Sequence, residues 1–85
     1  MEKVNIIGFF RDKTNENEVV NKEQLYFVAF WNEYKDGSKK WIEGYDINGH
    51  FELKDSDYLK TCEEITKEEY IEATKGYYTP GEYLI

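Results

Sequence analysis

The fold is decided by residues 24–53, which read QLYFVAFWNEYKDGSKKWIEGYDINGHFEL. In the first part, residues 24–34, apolar side chains occupy both alternating positions, with Phe27 on one face and Val28 on the other. A strand that is apolar on both faces is typical of the interior of a covered sheet. We therefore predict that residues 24–34 form a central strand.

Two short glycine-containing pairs divide the rest of this stretch. Asp36-Gly37 and Asn48-Gly49 are dipeptides that tolerate the positive φ of tight hairpin turns. Turns at both places join successive strands in antiparallel order, so the stretch is predicted to be a three-stranded meander. Its strands are residues 24–34, 39–47 and 50–53.

The N-terminal residues 3–11 are predicted to add a further strand. They are rich in β-branched and aromatic side chains, which again occupy both alternating positions. The polar residues 12–18 that follow have no periodicity and are predicted to form a loop. The predicted faces of the strand carry Val4, Ile6 and Phe10 on one side and Ile7 and Phe9 on the other.

A helix is predicted over residues 66–75. Thr66 and Glu69 form a capping box, in which the threonine hydroxyl accepts from the Glu69 amide and the glutamate side chain reaches back. Gly76 supplies a stop at the C-terminal end. The hydrophobic-staple positions on either side of the box are held by Ile65 and Tyr70.

Residues 58–65 have two interpretations, a further strand or an earlier turn of the same helix. The spacing of Leu59, Cys62 and Thr66 is helical, whereas a capping box would serve no purpose inside a continuous helix. We favour the strand. The tail is predicted to turn at Pro80-Gly81 and to fold back on the sheet.

Together these elements predict a single α+β domain over residues 1–85. It consists of a four- or five-stranded, mainly antiparallel β-sheet with two tight hairpins and one C-terminal helix packed on one face. Aromatic residues make up 18% of the chain and charged residues 34%, and a disordered chain does not combine the two in this way.

The net charge of −7 is confined to one segment. Residues 43–72 hold ten acidic and three basic residues, which accounts for the whole excess, and the rest of the chain is balanced. Such a segment repels phosphate and anionic lipid and attracts basic surfaces. The acidic residues are Glu43, Asp46, Glu52, Asp55, Asp57, Glu63, Glu64, Glu68, Glu69 and Glu72.

The chain holds one cysteine, Cys62, and one histidine, His50, which limits its chemistry. A single cysteine cannot form an internal disulfide, and the two residues do not stand at metal-ligand spacing. A Cys–His pair alone is no signature of a nucleophilic catalyst, and the sequence has no glycine-rich phosphate loop. We expect no catalytic residue, no metal site and no cofactor.

The sequence also indicates where the protein resides. Residues 1–5 lack the basic region and long apolar run that open a signal peptide. No apolar stretch in the sequence approaches the roughly 20 residues that span a bilayer. We therefore expect a cytoplasmic protein that does not bind membranes.

The acidic segment favours a protein-binding function. Aromatic strands would suit base stacking, but the negative charge opposes phosphate contacts, so direct nucleic-acid binding is not expected. We expect a protein partner with a basic surface, docked through residues 43–72 and the tyrosine-rich end, where tyrosine offers contact area at low entropy cost. The predicted partner-binding residues are Asp55, Asp57, Glu63, Glu64, Glu68, Glu69, Glu72, Tyr70, Tyr77 and Tyr78.

Small acidic proteins of this style are typical of phages and mobile elements, which favours an inhibitor, antitoxin or immunity-type protein. The alternative is a self-associating structural protein that uses its apolar sheet as a homodimer interface. An acidic segment that only keeps the protein in solution would produce the same charge pattern.

Overall fold

The computed structural model describes residues 3–13, 21–33, 36–37, 40–53 and 57–84. Its regular elements are the strands β1 (Lys3–Arg11), β2 (Tyr26–Glu33), β3 (Lys40–Asp46), β4 (Gly49–Leu53) and β5 (Glu63–Ile65), the α-helices α1 (Asp57–Lys60) and α2 (Lys67–Ala73), and two single 3-10 turns at Lys22–Leu25 and Gly81–Tyr83. The strands form one antiparallel sheet in the order β4-β3-β2-β1-β5. The predicted small α+β fold is confirmed.

The meander of β2, β3 and β4 is confirmed, with β2 at the centre of the sheet. The β3–β4 turn is tight, because Asp46 pairs directly with Gly49 and leaves two residues between them. Gly49 has a φ of +113° and Gly37, in the β2–β3 connection, has a φ of +74°. The last described pair of the β2–β3 ladder is Glu33–Lys40, and the flanks of the predicted Asp36-Gly37 turn, residues 34–35 and 38–39, lie outside the described residues.

A β-bulge in β1 changes which of its side chains share a face. The β1–β2 register shifts between Ile6 and Gly8, so Ile7 is the extra residue. One extra residue breaks the two-residue alternation and reverses the faces beyond it. Phe9 therefore packs in the same cluster as Ile6, while Phe10 packs on the other side. The predicted faces of this strand, which put Ile6 with Phe10, are wrong for that reason.

Both faces of the sheet are covered by the chain itself. Residues 57–62, which include α1, pack on one side, and the residues after β5 pack on the other side with α2 and the tail. The prediction of one helix on one face missed α1. The cluster on the α1 face consists of Phe10, Phe27, Ala29, Ile42, Leu53 and Leu59. The cluster on the α2 face consists of Phe9, Val28, Phe30, Tyr70 and Tyr83.

Residues 58–65 contain both a helical turn and a strand, but the helical turn is not an earlier turn of α2, because β5 lies between them. The first part belongs to the four-residue helix α1, and the last three residues form the edge strand β5 beside β1. Leu59 is buried in the α1-face cluster, whereas Ile65 packs on the opposite face. The segment thus changes from one face of the sheet to the other as it passes the edge.

The N-terminus of α2 is built as its sequence predicts. Thr66 Oγ1 accepts from the Glu69 amide at 3.0 Å, and Glu69 Oε1 accepts from the Thr66 amide at 3.1 Å. Ile65 and Tyr70 pack in the same cluster, as expected for a hydrophobic staple. The helix is shorter than predicted and ends at Ala73, with Gly76 at a φ of +95° beyond it.

Candidate partner-binding surface

The acidic segment 43–72 does not form one continuous surface. Its first part lies in β3 and β4 at one edge of the sheet, β5 lies at the opposite edge, and α2 packs on one face against β1 and β2. Two strands, β2 and β1, separate β3 from β5. Glu43 and Glu52, which face each other across the β3–β4 pair, therefore stand apart from the carboxylates of β5.

The structure divides the ten predicted partner-binding residues. Asp55 lies outside the described residues. Asp57 is exposed but begins α1, and its carboxylate pairs with Lys60 at 3.3 Å. Tyr70 is 1% exposed and stacks near Phe9, so it belongs to the core and offers no ring to a partner. The other seven of the ten are exposed and lie on β5, on α2 and on the segment after it: Glu63, Glu64, Glu68, Glu69, Glu72, Tyr77 and Tyr78.

The two carboxylates of β5 point to different faces. Glu64 pairs with Phe10, which lies in the α1-face cluster, and its side chain approaches Gly8. Glu63 is opposite Arg11, with its carboxylate 3.9 Å from the guanidinium. Strand alternation therefore leaves Glu63 on the side of α2 and Glu64 on the side of α1.

Next to α2 there is a group of exposed apolar side chains. Ile71 is 45% exposed, Tyr77 43% and Tyr78 76%. All three line a groove of about 360 Å³ between the C-terminal half of α2 and residues 76–79. Exposed apolar side chains that lie together, unlike scattered ones, are typical of interaction sites.

Glu68 and Glu72 border this group on the helix. Glu68 precedes Ile71 by three positions, which puts the two side chains on the same side of α2, and Glu72 follows one turn after Glu68. Both glutamates are exposed. Lys75, one turn after Ile71, is the basic residue beside the groove. Together, five residues form the α2 surface: Glu68, Ile71, Glu72, Tyr77 and Tyr78.

Hydrogen bonds hold the segment that carries the two tyrosines. Asn21 Nδ2 donates to Tyr77 Oη at 2.9 Å, and Tyr45 Oη donates to the Tyr78 carbonyl at 3.2 Å. Tyr70 Oη and Thr79 Oγ1 are 3.1 Å apart. These bonds attach the segment to β3 and α2 at several points, so the Tyr78 ring projects from a fixed backbone.

Ile71 is the member of the α2 surface that the sequence analysis missed. The buried stripe of α2 runs through Tyr70 and Thr74, four positions apart. A residue next to a stripe residue is turned about 100° around the helix, so Ile71 points away from the sheet. Which residues form that stripe depends on how α2 packs on the sheet, so the exposure of Ile71 has no local signal in the sequence.

A second concave region lies where β2 begins and the β3–β4 turn closes. It is a cleft of about 240 Å³ with Asp12, Asp46, His50 and Tyr58 among its walls. Tyr58 Oη donates to Asp12 Oδ2 at 2.5 Å, and burial raises the pKa of the Tyr58 hydroxyl, with the bond to Asp12 adding to the rise. Burial also raises the pKa of Asp46, although amide donors from its own turn oppose the shift. The pair of Asp12 and Tyr58 ties β1 to α1.

The sheet separates the lone cysteine from the lone histidine. Cys62 packs against the α1-face cluster, and burial raises the pKa of its thiol, which favours the unreactive protonated form. His50 lies in β4 and contacts the opposite cluster, with Nε2 2.7 Å from Tyr83 Oη and its ring edge-on to Tyr45. Their positions do not bring a thiol and an imidazole together.

The described residues form neither a metal-ligand cluster nor a membrane-spanning helix. Within them, no group of three or more His, Cys, Asp or Glu side chains is placed to hold a metal ion. Over the same ranges, no helix has the length and apolar character needed to cross a bilayer. The α2 surface combines exposed aromatic side chains with the two exposed carboxylates of Glu68 and Glu72.

Comparison with known proteins leaves the assignment to the geometry alone: no protein-family model, curated protein or solved structure matches this chain.

Proposed function

We propose that this protein is a binding module that docks a basic surface of a protein partner through the α2 surface. The observation that carries the proposal is the position of Glu68 and Glu72 beside the exposed side chains of Ile71, Tyr77 and Tyr78. Protein interfaces have an apolar, aromatic centre surrounded by polar groups. The α2 surface has this arrangement on one side of the molecule.

Electrostatics favours a basic partner. The chain carries a net charge of −7, and β5 adds the exposed carboxylate of Glu63 on the same side as α2. Fields of this kind accelerate association with surfaces of opposite charge and select against acidic ones. They also repel the phosphates of nucleic acids, so the proposed partner is a protein.

The tyrosines supply the area that charge alone does not. Exposed ion pairs contribute little net affinity, whereas a buried tyrosine ring with a polar tip is among the strongest contributors to interfaces. Tyr78 is 76% exposed and held through its backbone, so burying its ring costs little ordering entropy. In this proposal Tyr78 enters a pocket on the partner, and Glu68 and Glu72 meet basic side chains around it.

An acidic surface of this kind fits a partner whose basic surface otherwise holds nucleic acid. Carboxylates spaced along a helix and a strand present negative charge to the same arginine and lysine side chains that bind phosphates. The protein would then act as an inhibitor, antitoxin or immunity-type protein that occupies the surface. Competition by a DNA or RNA oligonucleotide for the same partner is the expected consequence.

The test is affinity capture from the native host, followed by binding measurements with the captured partner identified by mass spectrometry. We expect the dissociation constant to rise several-fold between low and high salt, since charge steering is screened within a Debye length of about 8 Å at physiological salt. An affinity that does not change with salt would remove the electrostatic part of the proposal.

Three charge reversals with equal effect on net charge locate the surface. Glu68→Lys and Glu72→Lys are expected to weaken binding about tenfold each through slower association and repulsion. Glu64→Lys, on the α1 side of β5, is the matched control and is expected to leave affinity within about twofold. If all three variants weaken binding equally, net charge and not the α2 surface is responsible.

A fourth variant tests the aromatic part of the surface. Tyr78→Ala removes a ring that is 76% exposed, so the fold should be retained. We expect the loss of about 2 kcal/mol of binding free energy, near thirtyfold in affinity, as for an anchor residue. Wild-type affinity in Tyr78→Ala would show that the ring is not part of the interface.

A further inference from the structure

The edge strand β4 presents backbone groups that the described part of the chain does not pair. β4 lies at the end of the sheet and pairs with β3 on one side. Its five residues, GHFEL, include no proline, and its pairing with β3 runs without a bulge. Prolines and bulges are two of the features by which natural sheets commonly protect an exposed edge from pairing. Among the residues described, the outer side of β4 has no neighbouring strand.

The turn before β4 determines which of its residues face outward. Asp46 and Gly49 close a two-residue turn, and a ladder that closes in this way begins with a pair that exchanges both hydrogen bonds. Such pairs alternate with pairs whose backbone groups point away from each other. The backbone N–H and C=O groups of His50 and Glu52 therefore point away from β3, and those of Phe51 point toward it.

We propose that two copies of this protein pair through β4, antiparallel and centred on Phe51, to form a continuous ten-stranded sheet. In this register His50 of one copy is opposite Glu52 of the other. The two-fold symmetry of the dimer gives a second pair, in which Glu52 of the first copy is opposite His50 of the second. The outward backbone groups of both residues then form four hydrogen bonds across the new pair. The side chains of His50 and Glu52 are exposed and on the same face, so the imidazole of each copy lies opposite a carboxylate of the other.

The alternation excludes or disfavours the other registers. A shift by one residue puts outward groups opposite inward ones, which forms no ladder. A shift that centres the pair on Glu52 puts two carboxylates directly opposite, which is destabilising. A shift that centres it on His50 moves Glu52 opposite the turn residue Asn48 and loses part of the ladder. The register centred on Phe51 is the one in which the strand is complementary to itself.

The edge offers a second copy more than the faces of the sheet do. The clusters on both faces are buried by α1 on one side and by α2 and Tyr83 on the other. A shallow hollow of about 250 Å³ beside the edge, lined by Trp41, Glu43, His50, Phe51 and Glu52, leaves room for the incoming side chains.

The first test measures the mass of the purified full chain by sedimentation over a range from micromolar to millimolar concentration. We expect the 10.2 kDa chain to give way to a species of twice that mass. Because each copy carries −7, added salt should promote pairing by screening the repulsion, the opposite of its effect on partner binding. A single 10.2 kDa species at every concentration and salt would overturn the proposal.

Hydrogen exchange identifies the contact. The Phe51 amide, bonded within the sheet, should be protected at all concentrations, whereas the amides of His50 and Glu52 should become protected only where the dimer forms. We expect the exchange rates of these two amides to fall by at least about tenfold when the dimer forms, because the open edge is then hydrogen-bonded. A dimer in which both amides still exchange freely would show that the copies meet elsewhere.

A proline at position 52 tests the same contact by mutation. Glu52→Pro removes a donor that points away from β3, and proline is tolerated in edge strands at such positions. Glu52→Thr is the control, since it removes the carboxylate but keeps the donor and a good strand former. We expect Glu52→Pro to remain a single chain and Glu52→Thr to dimerise with an affinity reduced several-fold. Dimerisation of Glu52→Pro as strong as wild type would contradict the proposal.

Discussion

The ring of Tyr83 stacks on the ring of Phe30, with centroids 4.4 Å apart and planes 17° apart. Phe30 lies in the central strand β2 and is completely buried, and Tyr83 is the second-to-last residue that the structure describes. Tyr83 Oη also lies 2.7 Å from His50 Nε2 in the edge strand β4. The tail is therefore a part of the core on the α2 face, as the sequence predicted when it placed a turn at Pro80-Gly81.

This stacking makes stability depend on the tail. Tyr83 is 5% exposed, so Tyr83→Ala is expected to lower the free energy of unfolding by about 3–5 kcal/mol, as for other buried aromatic truncations. Tyr83→Phe keeps the ring and loses only the hydroxyl contact with His50, which should cost about 1 kcal/mol. Urea unfolding of the two variants measures the difference. Equal losses would mean that the hydroxyl, not the stacking, matters.

Gly44 is the position where the sheet has no room for a side chain. A β-carbon at this position would overlap the Phe51 ring, which lies over the glycine from the paired strand. Gly44→Ala should therefore displace the ring and destabilise the fold by about 1–3 kcal/mol. Gly81→Ala, where the same β-carbon meets open space, is the control and should change stability by less than about 1 kcal/mol. Equal unfolding midpoints would show that the ring does not cover Gly44.

The capping box at the start of α2 carries a separate prediction. Thr66→Ala leaves the Glu69 amide without its side-chain acceptor and should lower the free energy of unfolding by about 1 kcal/mol. Thr66→Ser keeps the oxygen and should cost less than half as much. Chemical denaturation of both variants checks the order. Glu68 of the α2 surface lies in the first turn of this helix. Thr66→Ala should therefore also weaken partner binding, because the uncapped first turn unfolds more often.

Alkaline pH is expected to destabilise the fold through two partly buried groups, the Tyr58 hydroxyl and the Cys62 thiol. Burial raises the pKa of Tyr58 above its usual 10.0 and that of Cys62 above its usual 9.0. The folded chain therefore keeps these protons to a higher pH than the unfolded chain does. Their contribution to stability is complete below pH 9 and is lost as the pH rises further. Each group adds at most about 1.4 kcal/mol per pH unit to the decline.

Variants separate these contributions to the pH dependence. Tyr58→Phe and Cys62→Ala should each make the fall in unfolding free energy between pH 9 and 11 less steep, whatever they cost at neutral pH. Tyr78→Phe alters an exposed side chain and serves as the control. A fall of the same steepness in Tyr58→Phe and wild type would contradict the role of the Tyr58 hydroxyl.

Several features could be predicted from the sequence because they depend on neighbouring residues. The turn before Gly49 and the capping box of Thr66 and Glu69 each consist of a few consecutive positions, whose backbone preferences act without the rest of the fold. The central position of β2 was also predictable, since a strand with two apolar faces must be covered on both sides.

Other features had no local signal. Nothing in residues 3–11 distinguishes Ile7 as a bulge, because the extra residue is defined by the partner strand across the ladder. Ile71 and Tyr70 are adjacent in sequence, and the packing of α2 on the sheet decides which of them is exposed. In the same way, the burial of Tyr70 removed it from the predicted partner-binding residues.

The sequence by itself determined that this chain carries its whole net charge within residues 43–72 and that a covered antiparallel sheet lies at its centre. Only the tertiary structure decided that the charged segment is divided. β4 and β5, which follow each other in the chain as strands, lie at opposite edges of the sheet. Strand order is set by the burial of both sheet faces, which depends on contacts between residues far apart in sequence. The physical consequence is two separate surfaces, an acidic one on α2 and a self-complementary edge at β4.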